Sequence, residues 1–193
     1  MSAVEIARED LASVRAAGIE SLLVRHWQEI AHFADIPLDV DWPKYELMEA
    51  AGVLRIYTAR VAGELVGYAA YMVDSNAHYK GSLQAIQDVL FLAPEYRRGG
   101  IGSALISHAD TALAAEGVQA TYQHSKVAHP IDAVLESQGY ELIERIWAKR
   151  LDRNGGRLSL PHLGAPGQPI EPLQVSSGAG RSLSAPVSTN RGK

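Results

Sequence analysis

The sequence contains no cysteine among its 193 residues. This absence excludes disulfide frameworks, thiolate nucleophiles, cysteine-ligated zinc and iron–sulfur clusters. The sequence also has no run close to the roughly 20 apolar residues that a membrane span needs. The N-terminal region holds Glu5, Glu9 and Asp10 and therefore lacks the basic and apolar parts of a signal peptide. These absences predict a soluble protein of the cytoplasm.

Negative charge is in excess, and it is unevenly distributed. The full chain carries −4, whereas residues 152–193 carry five basic and two acidic side chains, a net of +3. The remaining residues 1–151 therefore carry −7, which argues against the basic surface of a nucleic-acid-binding protein. The proportions of hydrophobic residues, 47%, and charged residues, 21%, are typical of one globular domain.

The end of the chain differs in composition from the rest. The last 42 residues hold seven glycines, five prolines and six serines and show no helical or strand periodicity. Such a segment buries too little apolar surface to offset the entropy lost on ordering. We therefore expect a domain over residues 1–152 and a flexible tail over residues 153–193. A docking arm that orders on a partner is the alternative for the tail.

Hydrophobic periodicity before the tail alternates between strand and helix patterns. The predicted order is strand, helix, helix, three strands, helix, strand, helix, strand, which is an α/β (α+β) arrangement. The predicted segments are 4–6, 10–30 with a break near Gly18, 43–52, 53–61, 65–73, 83–92, 101–117, 120–127, 130–138 and 140–151. Residues 74–82 are expected to form a polar loop.

The most informative segment is the glycine-rich turn between the strand at 83–92 and the helix at 101–117. A strand that enters such a turn and then a helix N-terminus presents several backbone N–H groups in one place, at the positive end of the helix dipole. Glycines let the backbone approach a pyrophosphate closely, and two arginines add positive charge beside it. The residues of the turn are Arg97, Arg98, Gly99, Gly100, Ile101, Gly102 and Ser103.

The spacing of these glycines narrows the choice of phosphate ligand. It lacks the Gly-x-x-x-x-Gly-Lys-Ser/Thr pattern of nucleoside triphosphatases, and no Gly-x-Gly-x-x-Gly follows the first strand as in dinucleotide-binding folds. The turn instead resembles the signature Arg/Gln-x-x-Gly-x-Gly/Ala of the GNAT superfamily of acetyl-CoA-dependent N-acetyltransferases, through Arg97, Gly100 and Gly102. The run Asp88–Arg97 and the order of predicted elements are similar to that family as well.

A narrower similarity links the chain to acetyltransferases encoded by bacteriophages. It involves the segments 25–29 and 87–102 together with His78 and Tyr79. If the chain is of this kind, it acts in the host cytoplasm or belongs to the virion.

The family resemblance implies a mixed sheet with splayed central strands, flanking helices and acetyl-CoA as cosubstrate. The pantetheine arm is expected to lie between the strand that contains Val89–Leu92 and the strand that contains Tyr122–Lys126, paired with backbone groups near Leu90 and Leu92. The pyrophosphate is expected on the backbone N–H groups from Arg98 to Ser103.

Acetyl transfer to an amine benefits from a general base, because freeing an ammonium group of pKa near 10.4 at neutral pH costs roughly 4–5 kcal/mol. Asp88 is the candidate, since it interrupts an apolar strand and partial burial would raise a carboxyl pKa toward a useful range. Family members often have adjacent Glu and Asp here, whereas this chain has Gln87. A structural role for Asp88, as an acceptor for a loop N–H, is the alternative.

A general acid is harder to assign. Family members often place a Tyr four residues before the glycine of the last helix to protonate the departing thiolate, but Leu135 occupies that position before Gly139. The substitutes are Tyr122, His124, Lys126 and His129, each of which could also be an ordinary strand or loop residue. A thiolate leaves reasonably well without protonation, because its pKa is near 8.5.

The acceptor is expected to be a primary amine of a small molecule, of a protein lysine or of a protein N-terminus. Loop residues that could meet it are His78, Tyr79, Asp35, Asp39 and Asp41, although solvated loop positions are the more common explanation. The seven histidines show no metal-ligand spacing. Members of the family often dimerise, so a homodimer is a further expectation from the resemblance. The competing function is a noncatalytic GNAT-fold module, for example a phage particle component attached through the tail.

Overall fold

The structure, a computed structural model, describes residues 3–152, so the predicted tail of residues 153–193 lies outside the described residues. Its helices and strands are β1 (Val4–Glu9), α1 (Leu11–Ala16), α2 (Ile19–Ile30), α3 (Trp42–Ala50), β2 (Leu54–Val61), β3 (Glu64–Asn76), β4 (Tyr79–Leu92), α4 (Ile101–Ala115), β5 (Ala120–Tyr122) and α5 (Asp132–Ser137). A 3-10 turn, Pro94–Tyr96, lies between β4 and α4. No helix in this part of the chain is long and apolar enough to cross a membrane.

The strands form one mixed sheet in the order β1-β2-β3-β4-β5. The first four are antiparallel neighbours, and β5 pairs with β4 in parallel. At Gly67 of β3, a Cβ atom would lie 2.8 Å from Leu92 Cδ1 and 2.9 Å from the Phe91 carbonyl oxygen. Glycine therefore lets β3 and β4 approach this closely. The mixed sheet with flanking helices confirms the predicted fold class.

The two faces of the sheet are buried under different helices, as the strand period of two requires. In β3, Tyr68 and Ala70 pack with residues of α1 and α2, whereas Tyr71 and Val73 pack with residues of α4. Tyr68 and Tyr71 are almost fully buried. A core on each face explains why β3 reads as a nearly continuous apolar run.

The helix predicted over residues 10–30 breaks where the sequence indicated. Gly18 adopts a left-handed conformation, φ 77°, between α1 and α2. A glycine takes this conformation without the steric cost that a Cβ atom imposes. The break lets the two helices pack against the sheet separately, and they contribute Leu11, Val14, Ile19 and Leu22 to one core.

The polar loop predicted over residues 74–82 is wrong in most of its length. β3 continues to Asn76 and β4 starts at Tyr79, so the turn is only two residues long. Backbone pairing holds these exposed strand ends, and the Asn76 amide donates to Gln84 Oε1 at 2.9 Å. The polar side chains of residues 74–82 favoured the prediction of a loop. Antiparallel strands, however, pair through hydrogen bonds between backbone groups, which polar residues also provide.

The final strand predicted over residues 140–151 is also wrong. Residues 141–150 form no helix or strand, and their large apolar side chains, including Leu142, Ile143 and Trp147, are exposed. Residues of high strand propensity form a strand only where they can pack against a paired neighbouring strand. Within the described residues, β5 has only three residues and pairs with β4 alone, so the following segment gains no ladder.

Candidate active site

Asp88 is the extra residue of a β-bulge in β4. The register passes from Ala70 opposite Val89 to Tyr71 opposite Gln87, so Asp88 has no partner on β3. A bulge re-aims the side chains around it. Gln87 is buried here and Asp88 is exposed. The partial burial expected for Asp88 is therefore wrong, and its carboxylate faces solvent.

The pairing between β4 and β5 ends immediately before this bulge. Their parallel pairing ends at Ile86 opposite Tyr122. One residue further along β4, the buried Gln87 side chain reaches across and its Oε1 accepts the backbone N–H of His124 at 2.8 Å. Past this bridge no pairing between the two strands occurs in the described residues. The β4–β5 pairing therefore ends before Val89–Leu92, the part of β4 where the family resemblance implies a splay.

The glycine-rich turn lies at the end of β4 and leads into α4. Gly99 and Gly100 have φ values of 111° and 84°, which favour glycine strongly. Gly100 is the N-cap of α4, and within residues 3–152 no side-chain hydrogen bond caps the helix. The first N–H groups of α4 therefore lack intrahelical partners and side-chain caps, at the positive end of the helix dipole. This geometry fits a pyrophosphate group.

Arg97 does not extend freely toward this turn. Its guanidinium donates to both carboxylate oxygens of Glu29 in α2, at 2.8 and 2.6 Å, and its Nε donates to the Leu92 carbonyl at 2.9 Å. It also lies over the Phe91 ring. The hydrogen bonds from Arg97 lower the pKa of Glu29. Arg97 thus ties α2 to the turn, and Glu29 neutralises its charge.

Arg98 has a different environment from its neighbour. Its side chain is exposed, and it makes no ion pair or side-chain hydrogen bond with other residues between 3 and 152. Of the two arginines in the turn, Arg98 is the one whose guanidinium is available to an anion.

Tyr45 contacts the candidate base. Its hydroxyl donates to Asp88 Oδ2 at 2.6 Å. Burial, followed by the hydrogen bond to Asp88, raises the phenol pKa of Tyr45 well above its usual value. Tyr45 therefore remains protonated and acts as a donor. No sequence pattern points to a role for Tyr45, because it lies at an apolar position of a helix that is distant in the chain from Asp88.

Two of the candidate acids lie at and just beyond the end of β5, where its pairing with β4 stops. Tyr122 is half-buried at the end of β5 and His124 is exposed just beyond it. No side-chain hydrogen bond joins either of them to Asp88 in the structure of residues 3–152. Their catalytic roles stay predictions. Leu135, at the position where family members often have Tyr, is buried in α5 and fills a core position.

The remaining loop candidates have identifiable positions. His78 forms part of the β3–β4 turn and Tyr79 starts β4, and both are exposed. Asp41 is the N-cap of α3 and accepts the backbone N–H of Lys44 at 3.1 Å. This contact assigns Asp41 a structural role. His129 lies on the surface, with Nδ1 3.7 Å from the Glu29 carboxylate.

A network of polar side chains joins α4, β3 and the residues that follow β5, and the sequence analysis did not predict it. The Tyr140 hydroxyl donates to Asp110 of α4 at 2.6 Å, and the Gln123 amide donates to the hydroxyls of Tyr71 and Tyr140 at 2.8 and 3.1 Å. Burial raises the pKa of Asp110, and burial together with Asp110 raises the pKa of Tyr140 to about 12. The network joins β3, α4 and the chain after β5, so it helps to hold the segment that follows β5.

His26 and Tyr68 form a second polar contact that was not predicted. His26 Nδ1 lies 2.8 Å from the Tyr68 hydroxyl, and the imidazole stacks on Phe91 with ring centroids 4.9 Å apart. Burial lowers the pKa of His26 to about 4. The histidine lies at a core position of α2, where helical periodicity cannot distinguish a buried imidazole from an apolar side chain.

This environment predicts a pH-dependent stability. The unfolded chain protonates His26 near pH 6.5, whereas the folded chain does so only near pH 4. The unfolded state therefore binds more protons in this window, and the free energy of unfolding falls as the pH drops. Between pH 7.5 and 5 we expect His26 to contribute a loss of about 2 kcal/mol. Urea unfolding of the unmodified protein and of His26→Asn, which has no titratable ring, measures the difference. Equal pH dependence of both proteins would contradict the buried neutral imidazole.

Comparisons with known proteins agree with this geometry. Residues 53–142 match the family model described as an acetyltransferase (GNAT) domain. No curated protein sequence matches the chain. Within the described residues, no group of three or more His, Asp or Glu side chains could hold a metal ion.

Solved structures with the same fold are distant in sequence. Aminoglycoside N-acetyltransferase AAC(6')-Iy in complex with CoA is 18% identical, with a TM-score of 0.59 over 79% of this chain and 97% of that one. Glucosamine-6-phosphate N-acetyltransferase from Arabidopsis thaliana is 12% identical, with a TM-score of 0.61 over 78% and 99%. A ribosomal-protein-alanine N-acetyltransferase from Brucella melitensis biovar Abortus 2308 is 19% identical, with a TM-score of 0.55 over 79% and 100%.

GNAT acetyltransferases use acetyl-CoA, and two of the similar structures contain CoA or a CoA-based bisubstrate analogue. At these identities the likeness to solved structures establishes the fold alone. The chain therefore has a GNAT-like fold, and its residues 53–142 are similar to the model of a GNAT acetyltransferase domain.

Proposed function

We propose that the protein is an N-acetyltransferase that moves the acetyl group of acetyl-CoA to a primary amine of a small molecule or of a protein. The observation that supports this best is the end of the β4–β5 pairing at Ile86 and Tyr122, on the strand that leads into the glycine-rich start of α4. One opening can then receive an extended pantetheine arm while the turn receives the pyrophosphate.

Bound acetyl-CoA would supply the acetyl thioester. The backbone N–H groups from Arg98 to Ser103 would hold its pyrophosphate, and backbone groups near Leu90 and Leu92 its pantetheine arm. Asp88 would accept the proton that the acceptor ammonium must lose before it attacks. Its exposed carboxylate lies on the bulge directly after the point where the strands separate.

Two measurements test this function. Calorimetry should detect acetyl-CoA binding to the unmodified protein, and mass spectrometry should detect isotope-labelled acetyl groups on members of a panel of amines and on host lysate proteins. Aminoglycosides belong in the panel because several similar structures are aminoglycoside acetyltransferases. Binding without transfer to any acceptor would favour the noncatalytic module, for which the buried Leu135 in place of Tyr is the supporting observation.

The two arginines of the turn should behave differently. Arg98→Ala is expected to weaken acetyl-CoA binding by roughly 10-fold, since it removes an available positive charge beside the pyrophosphate. Arg97→Ala should instead lower the unfolding midpoint, because it leaves Glu29 without its bidentate partner. Calorimetry and urea denaturation of both variants check this contrast. A larger loss of affinity in Arg97→Ala with unchanged stability would reverse the assignment.

The similarity to phage-encoded proteins extends the proposal to an enzyme that acts in the host cytoplasm. A homodimer and a partner for residues 153–193 are further parts of it. Light scattering of the full chain at several concentrations tests the homodimer, and a single monomeric mass at all concentrations would exclude it.

A further inference from the structure

Tyr45 is held firmly before it meets Asp88. It lies in the first turn and a half of α3, which Asp41 caps and Pro43 helps to start. Its ring packs against the core under α1 and α2, with the Trp42 ring centroid 6.3 Å away. The phenol therefore reaches β4 from a fixed helix and not from a loop.

The contact with Asp88 leaves one carboxylate oxygen available. Tyr45 donates to Oδ2 at 2.6 Å, while Oδ1 makes no hydrogen bond with any other residue in the described range 3–152. An exposed aspartate on a bulge has several accessible rotamers. The bond from Tyr45 selects among them, and the raised phenol pKa of Tyr45 keeps the donor proton in place.

We propose that Tyr45 is a positioning residue for acetyl transfer, which orients the Asp88 carboxylate so that Oδ1 faces the acceptor amine. The inference rests on the proposed function. In the step concerned, one N–H bond of the acceptor ammonium breaks, its proton forms an O–H bond with Oδ1, and the electron pair stays on nitrogen. Tyr45 keeps its own proton throughout and touches no reacting atom.

The proposed role depends on the Tyr45 hydroxyl and not on its ring. Tyr45→Phe keeps the ring and its packing but removes the donor, so the Asp88 side chain regains its freedom. We expect the single-turnover rate of acetyl transfer to fall about 10-fold with acetyl-CoA affinity unchanged, because correct orientation of a catalytic group is lost while cofactor contacts remain.

A matched control is available in Tyr57. Its hydroxyl is buried and makes no hydrogen bond to the residues that the structure describes, and the residue lies on the opposite face of the sheet under α4. Tyr57→Phe therefore removes the same atom from the same kind of core position without touching Asp88. It should transfer acetyl groups at the rate of the unmodified protein.

The decisive experiment combines Tyr45→Phe with Asp88→Asn. If Tyr45 acts through Asp88, the two rate losses are not additive, and Tyr45→Phe adds little to the loss in Asp88→Asn. Urea midpoints of Tyr45→Phe, Asp88→Ala and their combination give a readout that needs no activity, since removing either partner of a direct contact makes the stability losses non-additive. Both results are expected.

Two outcomes would overturn the inference. In an active protein, an undiminished rate in Tyr45→Phe, or a full 10-fold loss on top of Asp88→Asn, would show that Tyr45 does not work through Asp88. A protein that binds acetyl-CoA but transfers to no acceptor would refute the proposed function itself, and the Tyr45–Asp88 bond would then serve only to join α3 to β4. Activity of the unmodified protein distinguishes the two failures.

Discussion

Gly102→Glu is expected to reduce the affinity for acetyl-CoA by roughly 100-fold or more, because it places a negative charge beside the pyrophosphate at the start of α4. The fold should tolerate the change. A Cβ atom at Gly102 would lie 3.7 Å from Leu92 Cδ2, an ordinary contact distance. A carboxylate in the first turn is also favourable for the helix itself. Calorimetry measures the affinity, and thermal unfolding checks that the variant is folded.

The control for charge is Gly102→Ala, which adds the Cβ atom alone. It should bind acetyl-CoA nearly as well as the unmodified protein, because in the described structure its methyl group makes an ordinary contact with the Leu92 side chain, at 3.7 Å. Equal affinity of the Glu variant and the unmodified protein would place the pyrophosphate elsewhere and remove the main support for the proposed function.

The elements around this turn could be predicted because their signals are local. Gly99 and Gly100 mark positions where φ is positive, and the apolar spacing after Ile101 follows a helical period over the whole of α4. The order of strands and helices up to α5 was predicted for the same reason. A turn and an amphipathic helix are encoded within a few residues, so one sequence suffices to find them.

The bulge at Asp88 could not be predicted, since it depends on how β4 aligns with β3. The sequence shows an aspartate in an apolar strand, and burial was the natural expectation. The pairing of Tyr71 with Gln87 gives the inward position to the glutamine instead. The contact with Tyr45 joins residues 43 positions apart and follows from the packing of α3.

The ion pair of Arg97 could not be predicted either, because its partner is distant in the sequence. The motif indicates a cation beside an anion site, but Glu29 lies 68 positions earlier in the chain and binds the same guanidinium. No periodicity in the sequence connects them. The prediction of a final strand was wrong for a related reason. Residues 141–150 have a composition typical of a strand, but they have no paired neighbouring strand in the described structure.

Asp88→Asn should reduce the rate of acetyl transfer by roughly 10²–10⁴-fold, the usual contribution of a positioned general base. The amide keeps the size of the carboxylate, and its oxygen can still accept the Tyr45 hydroxyl, so the bulge and α3 should be undisturbed. Binding of acetyl-CoA should change little, because the proposed cofactor contacts come from the backbone after Val89. Single-turnover transfer to an amine that the unmodified protein acetylates measures the effect.

Asp74→Asn is the matched control for this substitution. Asp74 is exposed on the neighbouring strand β3, where its carboxylate accepts the backbone N–H of Ser75. The substitution removes one negative charge from the same sheet without affecting the bulge. The rate of acetyl transfer by this variant should equal that of the unmodified protein. If Asp88→Asn transfers as fast as Asp74→Asn and the unmodified protein, the base is not Asp88. The proton would then have to leave through another group, and Tyr122 and His124, at and just beyond the end of β5, would be the next residues to substitute.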